Sequence, residues 1–330
     1  MRVLVTGGLG YIGSHTVVEL IENGDEVVII DNLSNSKKEV IDKLKEITGK
    51  EIKLYINDVT DKEALRKIFS EEKIDAVIHF AGYKAVGESV EKPLMYYRNN
   101  IDSTLSLLEV MEEFNVRNIV FSSSATVYGN PESLPIYEDF PLSTTNPYGT
   151  TKLFIEHILE DLYVSNNEWN IVILRYFNPI GAHKSGLIGE DPNGIPNNLM
   201  PYIVKVANGE LPCLSVFGSD YNTVDGTGVR DYIHVVDLAR GHVLALKNRN
   251  SGIRFYNLGT GRGTSVLELV NTFEKVNNIK VNKKIVDRRP GDIDACYAST
   301  DKAFKELGFK AEHNIEDMCR DAYNFVCKNK

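Results

Sequence analysis

Long apolar runs and closely spaced cysteines are both missing from this sequence of 330 residues. A membrane-spanning helix needs roughly 20 consecutive apolar residues, and no such run occurs, so we expect no membrane association. The apolar segment VLV of the first predicted strand follows directly after Met1 and Arg2, so we expect no signal peptide. Without a CxxC pair, a disulfide framework or a metal site is disfavoured, and reduced thiols in a cytoplasmic protein are expected. The cysteines are Cys213, Cys296, Cys319 and Cys327.

Positive charge is also in short supply. Lys and Arg number 37 against 46 Asp and Glu, which gives a formal net charge of -9. Because a nucleic-acid surface needs an excess of basic residues, we expect no nucleic-acid partner. A small anionic ligand stays compatible with this charge if a few arginines receive it locally. The hydrophobic content of 42% and charged content of 25% are those of an ordinary globular protein.

Strand and helix patterns alternate through the first half of the chain. Short apolar strands such as RVLVTG, DEVVIID, DAVIHFAG and NIVILRYFN are separated by helical segments. Continuous apolar strands joined by helices form a parallel sheet that is covered on both faces. The pattern therefore predicts an α/β fold with a doubly wound parallel Rossmann sheet.

This regular alternation ends near residue 178. Residues 178–230 are rich in Gly, Pro, Asn and Asp, with one helical stretch at LMPYIVKVANG, and FYNLG is a late strand that returns to the sheet. We therefore expect a Rossmann domain of residues 1–177 and about 231–261. A smaller mixed α/β lobe, formed by insertions, would contain residues 178–230 and about 262–330.

The first strand ends in the glycine-rich stretch TGGLGYIG. Gly8, Gly10 and Gly13 spell GxGxxG, whereas Gly7, Gly10 and Gly13 spell GxxGxxG. Either spacing lets the backbone approach a pyrophosphate at a helix N-terminus. The second signal is Asp31, which ends the strand VVIID, because a carboxylate there accepts from the ribose 2′-OH and repels a 2′-phosphate. Together these features predict NAD as the cofactor.

A candidate catalytic group lies further along the chain. Tyr148 and Lys152 are four residues apart at a predicted helix start, so they share one face. A phenol is a poor base at neutral pH, and a neighbouring ammonium stabilises its phenolate. Ser124 ends a predicted strand in FSSSATVYG, where its hydroxyl can hydrogen-bond a reacting oxygen while the tyrosine moves a proton. This group favours the GxxGxxG spacing as the working one, with Gly8 as an accessory small residue.

These motifs and several further segments resemble the UDP-glucose (UDP-galactose) 4-epimerases of the extended short-chain dehydrogenase/reductase superfamily. The similar segments run from residue 1 to about residue 300 and include TGGLGYIG, DNLSNS, HFAGYKAVGES, FSSSATVYG, NPYGTTK, RYFNPIGAH, GIPNNLMPYI, DGTGVRDYIHV and YNLGTG. In that family NAD stays bound, the tyrosine takes the proton of the sugar 4-OH, and C4 gives its hydride to the nicotinamide. The 4-keto sugar then turns in the site and receives the hydride on its other face. The resemblance implies this fold, cofactor and reaction here, in a homodimer.

The resemblance also implies two sets of binding residues, both of which include Ser124 and Tyr148. The NAD contacts are Gly7, Gly10, Tyr11, Ile12, Gly13, Asp31, Asn32, Leu33, Ser34, Asn35, Ser36, Asp58, Val59, Phe80, Ala81, Gly82, Tyr83, Lys84, Asn99, Lys152 and Phe177. The UDP-sugar contacts are Asn178, Asn198, Leu199, Ser215, Val216, Phe217, Arg230, Arg289, Pro290, Gly291, Asp292 and Cys296. Arginines among them offer the forked donors that a diphosphate needs in an acidic chain. No metal is implied.

The residues after Ser124 favour epimerisation over related reactions. The related 4,6-dehydratases carry an Asp-Glu pair there, and UDP-glucuronate decarboxylases usually place a Glu in the same segment, because elimination needs an extra acid and base. Here those positions hold Ala125 and Thr126. A UDP-uronate 4-epimerase, or another NAD-dependent nucleotide-sugar enzyme of the superfamily, stays as an alternative. A non-catalytic NAD-binding sensor is disfavoured, because such proteins typically lose the Tyr–Lys pair or the glycines.

Cys296, in GDIDACYA, matches the family position that borders the sugar pocket. Members with tyrosine there are restricted to glucose and galactose, whereas members with a smaller residue also admit N-acetyl sugars. We therefore hypothesise that UDP-GalNAc and UDP-GlcNAc are substrates as well, unless Cys296 is merely small and buried. The implied homodimer would pair through the helices containing PLMYYRNNIDSTLSLLEVM and TTKLFIEHILEDLY, although core packing explains their apolar stripes equally well.

Overall fold

Parallel strands dominate the computed structural model, which describes residues 1–191, 196, 198–248, 251–289 and 292–329. The strands in these residues are β1 (Arg2–Thr6), β2 (Glu26–Ile30), β3 (Lys53–Tyr55), β4 (Ala76–His79), β5 (Asn118–Ser124), β6 (Asn170–Tyr176), β7 (Asn178–Ile180), β8 (Leu214–Phe217), β9 (Val229–His234), β10 (Gly252–Leu258), β11 (Gly263–Ser265), β12 (Lys283–Val286) and β13 (Ala295–Cys296). Seven of them form one parallel sheet in the order β10-β6-β5-β4-β1-β2-β3. The predicted doubly wound sheet is confirmed, with FYNLG in its edge strand.

Helices cover both faces of this sheet. The helices in the described residues are α1 (Tyr11–Glu22), α2 (Val40–Thr48), α3 (Lys62–Glu72), α4 (Val86–Glu91), α5 (Pro93–Glu113), α6 (Pro147–Ser165), α7 (Leu199–Ala207), α8 (Val235–Lys247), α9 (Val266–Asn277), α10 (Asp301–Leu307) and α11 (Ile315–Lys328). Helices α1, α2 and α8 contribute to the apolar core on one face, and α3, α5 and α6 contribute to the core on the other. None of the helices in the described ranges is long and apolar enough to cross a membrane.

The strands are buried on both sides because successive residues enter different cores. In β1, Val3 and Val5 belong to the core under α1 and α8, whereas Leu4 belongs to the core under α5 and α6. Burying each such side chain contributes on the order of 1.5–3 kcal/mol. Because both faces are covered, the strand reads as a continuous apolar run, which is the pattern that predicted a parallel sheet.

The chain reverses its direction across the sheet between β1 and β4. After β1 it adds β2 and β3 on one side, and it then returns to place β4 on the other side. At this point the Thr6 hydroxyl accepts hydrogen bonds from the N–H groups of Phe80 and Ala81, both at 3.1 Å, which joins the ends of the two strands. The carboxyl ends of strands at such a reversal form the usual ligand crevice of this architecture.

A second region lies beside the large sheet and has its own apolar core. It contains a sheet of β7, β9, β11 and β13 and a parallel pair of β8 and β12. Helices α7, α9 and α11 bury Met200, Phe273 and Met318 together. Helix α11 begins with a reciprocal capping box between Asn314 and Asp317. Helix α11 thus completes this core, whereas Ala303 and Phe309, which precede it, pack in the core of the large sheet.

Candidate active site

The glycine-rich turn connects β1 to α1. Gly7 has a φ of 68°, in the left-handed region that favours glycine, and its carbonyl oxygen accepts from the Gly10 N–H at 3.1 Å. A Cβ on Gly13 would lie 2.3 Å from that same carbonyl oxygen, and a Cβ on Gly8 would lie 2.8 Å from the Ile29 side chain. The GxxGxxG glycines therefore shape the turn itself, whereas Gly8 makes room for β2.

This turn fits the pyrophosphate of a dinucleotide. Gly10 is the N-cap of α1 and offers no side chain to cap the helix, so the first N–H groups remain available to a ligand. These donors and the positive end of the helix dipole attract a phosphate. The absence of Cβ atoms around the turn lets the ligand approach the backbone closely.

Asp31 organises the loop that follows β2. Its carboxylate accepts from the N–H groups of Leu9 at 3.0 Å and Leu33 at 2.9 Å, and from the Ser36 hydroxyl at 2.7 Å. The Asp31 side chain thereby connects the glycine turn to the loop that follows β2. A ribose 2′-OH would donate to a carboxylate that its neighbours already hold in place.

Asp58 supports the same loop from the end of the neighbouring strand. It accepts from the Asn32 side chain at 2.7 Å and from the Thr60 N–H at 2.8 Å. Partial burial by itself would raise the pKa of Asp58, but hydrogen bonds from Thr60 and Asn32 lower it below its usual value. Asp58 is therefore a charged acceptor at neutral pH.

A cavity of about 830 Å³ extends along the carboxyl edge of the sheet. Its lining joins the glycine turn, the loops after β2 and β4, and the start of α6. The predicted NAD residues in this lining are Gly7, Gly10, Tyr11, Ile12, Gly13, Asp31, Asn32, Ser34, Asn35, Ser36, Asp58, Val59, Phe80, Ala81, Gly82, Tyr83, Lys84, Asn99, Tyr148 and Lys152. Leu33, Ser124 and Phe177 lie outside it, and Phe177 packs in an apolar cluster instead.

Helix α6 positions the tyrosine and the lysine. Asn146 caps the helix by accepting from the Gly149 N–H at 2.9 Å, and Pro147 occupies the first helical position, which suits its fixed φ. Tyr148 and Lys152 follow on one face and are 7% and 5% exposed. The i,i+4 spacing thus brings both side chains against the carboxyl end of β5, as predicted.

Lys152 does not donate directly to the tyrosine in this arrangement. Its Nζ donates to the Ser122 carbonyl oxygen at 2.7 Å and lies 5.9 Å from the centre of the Tyr148 ring. Burial lowers the pKa of Lys152 to about 8, and the charge of Glu156 partly offsets this effect. Burial raises the pKa of Tyr148, and a hydrogen bond with Ser124 partly offsets that rise.

Ser124 is the last residue of β5 and the N-cap of the short helical turn that follows it. Its side-chain oxygen accepts from the Thr126 N–H at 3.2 Å and from the Thr126 hydroxyl at 3.0 Å. The Ser124 hydroxyl therefore keeps its own proton for donation, to the Tyr148 oxygen or to a ligand oxygen held between the two side chains. Ala125 and Thr126, the next residues, carry no acid or base into this space.

A contact across the cavity was not predicted from sequence. Lys84 Nζ lies 3.2 Å from Glu190 Oε1, and the Asn198 side chain donates to the same oxygen at 2.7 Å. Lys37 and Asp191 form a second ion pair beside it. One segment of the second region therefore holds two lysines of the Rossmann region and an asparagine predicted to contact UDP. No local pattern marks Glu190, because its partners lie far away in sequence.

The predicted diphosphate arginines gather around one carboxylate. Asp292 lies 3.3 Å from Arg230 Nη2 and 3.0 Å from Arg289 Nε, one oxygen to each. The Arg289 guanidinium also lies 4.8 Å from the centre of the Phe217 ring. Asp292 thus holds two forked donors close together, which a diphosphate needs. Pro290 and Gly291 lie outside the described residues.

Cys296 lies beside Arg230. It is paired in register with Arg230, since β13 and β9 are parallel neighbours. It also packs against the apolar cluster that contains Val127 and Phe177, next to the turn after Ser124. Burial raises the pKa of the Cys296 thiol to about 11, so this residue is neutral at physiological pH.

The other predicted sugar-nucleotide residues lie in two strands and at one helix start of the second region. Asn178 is exposed in β7 opposite Tyr232, and Asn198 is the N-cap of α7, which begins at Leu199. Ser215 and Val216 lie in β8, paired with β12. Of these residues only Asn198 also lines the large cavity, and Val216 is buried in the apolar core of the second region.

Comparison with known proteins covers the whole chain. A family model described as GDP-mannose 4,6 dehydratase matches residues 4–322. The UDP-glucose 4-epimerase of Bacillus subtilis (strain 168) is 60% identical over 331 residues, which are 100% of this chain and 98% of that protein. This chain belongs to the UDP-glucose 4-epimerase family. The enzyme of the same name from Dictyostelium discoideum is 59% identical, over 99% of this chain and 96% of that protein.

A solved structure of this family has the same fold. The crystal structure of the Bifidobacterium longum UDP-glucose 4-epimerase, in complex with NAD+ and UDP, has a TM-score of 0.97 and 56% identity. It covers 100% of this chain, and this chain covers 99% of it. The resemblance read from the motifs is therefore confirmed. It also extends past residue 300, where the recognised motifs ended, through the C-terminal helix.

Proposed function

We propose that this chain interconverts UDP-galactose and UDP-glucose by epimerisation at C4, with NAD as a bound cofactor. The observation that carries the proposal is that Tyr148 and Lys152 line the same cavity as the glycine turn. A proton-transferring tyrosine and a dinucleotide on that turn would therefore reach one sugar carbon from two sides. The epimerases to which the chain is similar support the same reaction.

The side chains divide the proton chemistry between them. The Ser124 hydroxyl would donate to the reacting sugar oxygen, and Tyr148 would take the 4-OH proton and later return it. The ammonium of Lys152 lowers the cost of forming the Tyr148 phenolate by its charge. When bound, NAD supplies a hydride acceptor that returns the hydride to the same carbon. Arg230 and Arg289 would hold the diphosphate while the sugar turns.

The wider family model bears a dehydratase's name, and the turn after Ser124 favours epimerisation instead. Elimination of water needs a further acid and a further base beside the sugar. Ala125 and Thr126 supply neither, and the Thr126 hydroxyl is engaged with Ser124. The remaining groups suffice to move one hydride and one proton, which is all that epimerisation requires.

We propose that the same site also accepts UDP-GalNAc and UDP-GlcNAc. Cys296 is a small, neutral residue in register with Arg230. It packs against the apolar cluster of Val127 and Phe177, next to the turn after Ser124. A phenol at this position would fill the volume that an acetamido group needs. A thiol leaves that volume open, so the two pairs of sugars differ little in how well they fit.

We propose a homodimer that pairs through α5 and α6. These helices pack against each other and leave large apolar side chains outside, among them Leu94 at 81% and Phe154 at 46% exposed. A matching four-helix contact with a second copy would cover them. Light scattering coupled to size exclusion tests this proposal: a monomeric mass at micromolar concentration contradicts it.

Two further proposals concern organisation and location. We propose a Rossmann domain of residues 1–177 with about 231–261 and a UDP-sugar lobe of the rest, which two separate apolar cores support. We also propose action in the cytoplasm, which the four unpaired cysteines support. Limited proteolysis and fractionation of source cells test these two proposals.

One experiment tests the main proposal. The protein is purified without added cofactor, a portion is denatured to detect released NAD, and the remainder is assayed for UDP-galactose to UDP-glucose conversion. We expect NAD in the denatured fraction and turnover in the other. Failure of conversion with NAD present, together with conversion of a UDP-uronate, would favour the uronate alternative.

A further inference from the structure

A buried acid follows the catalytic lysine on α6. Glu156 lies one turn after Lys152 and is 1% exposed, and its partner Arg175 in β6 is 3% exposed. The Arg175 Nη2 donates to Glu156 Oε2 at 2.7 Å, and the Nε lies 3.1 Å from Oε1. This pair contacts neither predicted ligand site, and nothing in the proposed chemistry uses it.

The pair connects the elements that carry the catalytic side chains. The Ser123 hydroxyl, directly before Ser124, donates to the same Glu156 carboxylate. Ser123 and Arg175 are register partners in β5 and β6, so one carboxylate on α6 grips two neighbouring strands at the same level. Helix α6 is thus attached to β5 within one residue of Ser124 and within one turn of Lys152.

The arginine continues this connection to the turn after β5. Its Nη1 donates to the Tyr128 hydroxyl at 3.0 Å and to the Glu138 carbonyl oxygen at 3.0 Å. Tyr128 closes the short helical turn 125–128 that begins after Ser124, and its hydroxyl donates to Asn257 in β10 at 2.7 Å. The conformation of this turn, residues 125–128, therefore depends on the position of the Arg175 side chain.

We propose that Glu156 and Arg175 are positioning residues for this site: they set the spacing of Ser124 against Tyr148 and Lys152, and Glu156 places its carboxylate beside the lysine. This inference rests on the proposed epimerase function. A buried ion pair is a weak source of stability, because apolar residues of similar volume often serve as well or better. If this pair only stabilised the contact between these elements, apolar residues of similar volume would serve equally well.

The charges around Lys152 support the second part of this role. His79 faces it from β4 and is neutral at physiological pH, because burial lowers the pKa of His79 to about 3. Burial raises the pKa values of Tyr148 on α6 and of Tyr176 on β6, so neither adds a negative charge beside the lysine until the ammonium and a bound ligand stabilise the Tyr148 phenolate. Among the described groups that face the lysine, Glu156 is the carboxylate that raises its pKa.

The test compares Glu156→Gln with Glu160→Gln in the NAD-loaded protein. Glu160 lies one turn further on the same helix, exposed and paired with His157, so it controls for the chemical change. For Glu156→Gln we expect kcat to fall about tenfold or more with KM within about threefold, because the loss is in the reacting geometry. The alkaline limb of kcat should move about half a pH unit or more to lower pH, because the ammonium loses its stabilising neighbour. The Glu160→Gln protein should keep the parent values.

A second variant covers the case in which an unpaired Arg175 prevents folding. The double change Glu156→Leu with Arg175→Met removes both charges, and such replacements are commonly tolerated. We expect it to fold, yet to show a similar loss in kcat and a smaller shift of the alkaline limb in the same direction, because the positive charge of Arg175 is removed together with the carboxylate. Parent kcat and an unmoved limb in either folded variant would overturn the proposal.

A titration without turnover separates this inference from the proposed function. Lysine labelled with ¹³C at Cε is followed by NMR in the NAD-loaded protein, and Lys152→Met assigns the signal. We expect the Lys152 pKa to be lower in the Glu156 variants than in the parent and in Glu160→Gln. If the parent turns over no UDP-galactose, the proposed function fails while this titration still decides the charge effect. An unchanged Lys152 pKa in the variants overturns the inference whatever the substrate is.

Discussion

The ammonium of Lys152 is anchored on the Ser122 carbonyl oxygen, 2.7 Å away, and lies 5.9 Å from the centre of the Tyr148 ring. The strand that carries Ser124 therefore also fixes the lysine. At this distance the lysine can stabilise a phenolate through its charge across a buried space, as the proposed mechanism requires, because such interactions are stronger there than in water. The proposed proton transfer by Tyr148 therefore depends on every group that keeps the Lys152 ammonium protonated.

Replacing the tyrosine hydroxyl should remove the proton carrier and leave the fold intact. For Tyr148→Phe we expect turnover of UDP-galactose to fall by about two to four orders of magnitude, the usual contribution of a positioned acid–base group. Released NAD should be unchanged, because the glycine turn and Asp31 are untouched. Tyr163→Phe, later on the same helix, is the control. Full activity in Tyr148→Phe would contradict the mechanism.

The activity should fall at alkaline pH. Burial lowers the pKa of Lys152 to about 8, so above that pH the residue loses the charge that stabilises the phenolate. We expect kcat at saturating UDP-galactose to decline as the pH rises past about 8 while the protein stays folded by circular dichroism. A rate that stays level or rises up to about pH 9.5, which is more than about one pH unit above that pKa, would show that this ammonium is not required.

Crowding the glycine turn should expel the cofactor. A Cβ added by Gly13→Ala would lie 2.3 Å from the Gly7 carbonyl oxygen, so the turn and the start of α1 must separate. Overpacking of this kind typically costs about 1–3 kcal/mol of stability. We expect the purified variant to release little or no NAD on denaturation. A variant with a full complement of NAD would contradict the role given to this turn.

The residue at position 296 should decide which sugars are accepted. We expect the parent protein to convert UDP-GalNAc, and Cys296→Tyr to reduce that conversion by about tenfold or more, because the phenol occupies the acetamido space. Conversion of UDP-galactose should persist. Cys327→Tyr, at an exposed position on α11, is the control. If the parent does not act on UDP-GalNAc, the hypothesis is wrong.

Acid should destabilise the fold through a buried histidine. Burial lowers the pKa of His242 to about 4, against about 6.5 in an unfolded chain. The stability is therefore complete above pH 6.5 and is lost as the pH falls toward 4, because the unfolded chain then binds the extra proton. The loss approaches about 1.4 kcal/mol per pH unit for one such group. Urea unfolding from pH 7 to 5 should be less pH-dependent in His242→Gln than in the parent, with exposed His157→Gln as the control. The same pH dependence in all three proteins would exclude this cause.

Much of the architecture could be read from local patterns. The strand of RVLVTG, its glycine turn and the helix after it depend on residues within a few positions of one another. The face shared by Tyr148 and Lys152 follows from helical spacing alone. The motifs also carried the family resemblance, because they concentrate where ligands constrain the backbone. These inferences needed only the periodicity and the steric limits of the chain.

The contacts between distant segments depended on the tertiary structure. The pairing of Lys84 with Glu190, and of Glu156 with Arg175, arises only when separate elements pack side by side. Likewise, the register of β13 on β9, and not any nearby residue, sets Cys296 beside Arg230. Hydrogen bonds and ion pairs act over a few ångströms, while the order of residues along the chain says little about which segments come that close. Neighbouring residues in the sequence thus determine the glycine turn and the shared face of Tyr148 and Lys152. The charged groups that contact these elements are brought there by the packing of distant segments.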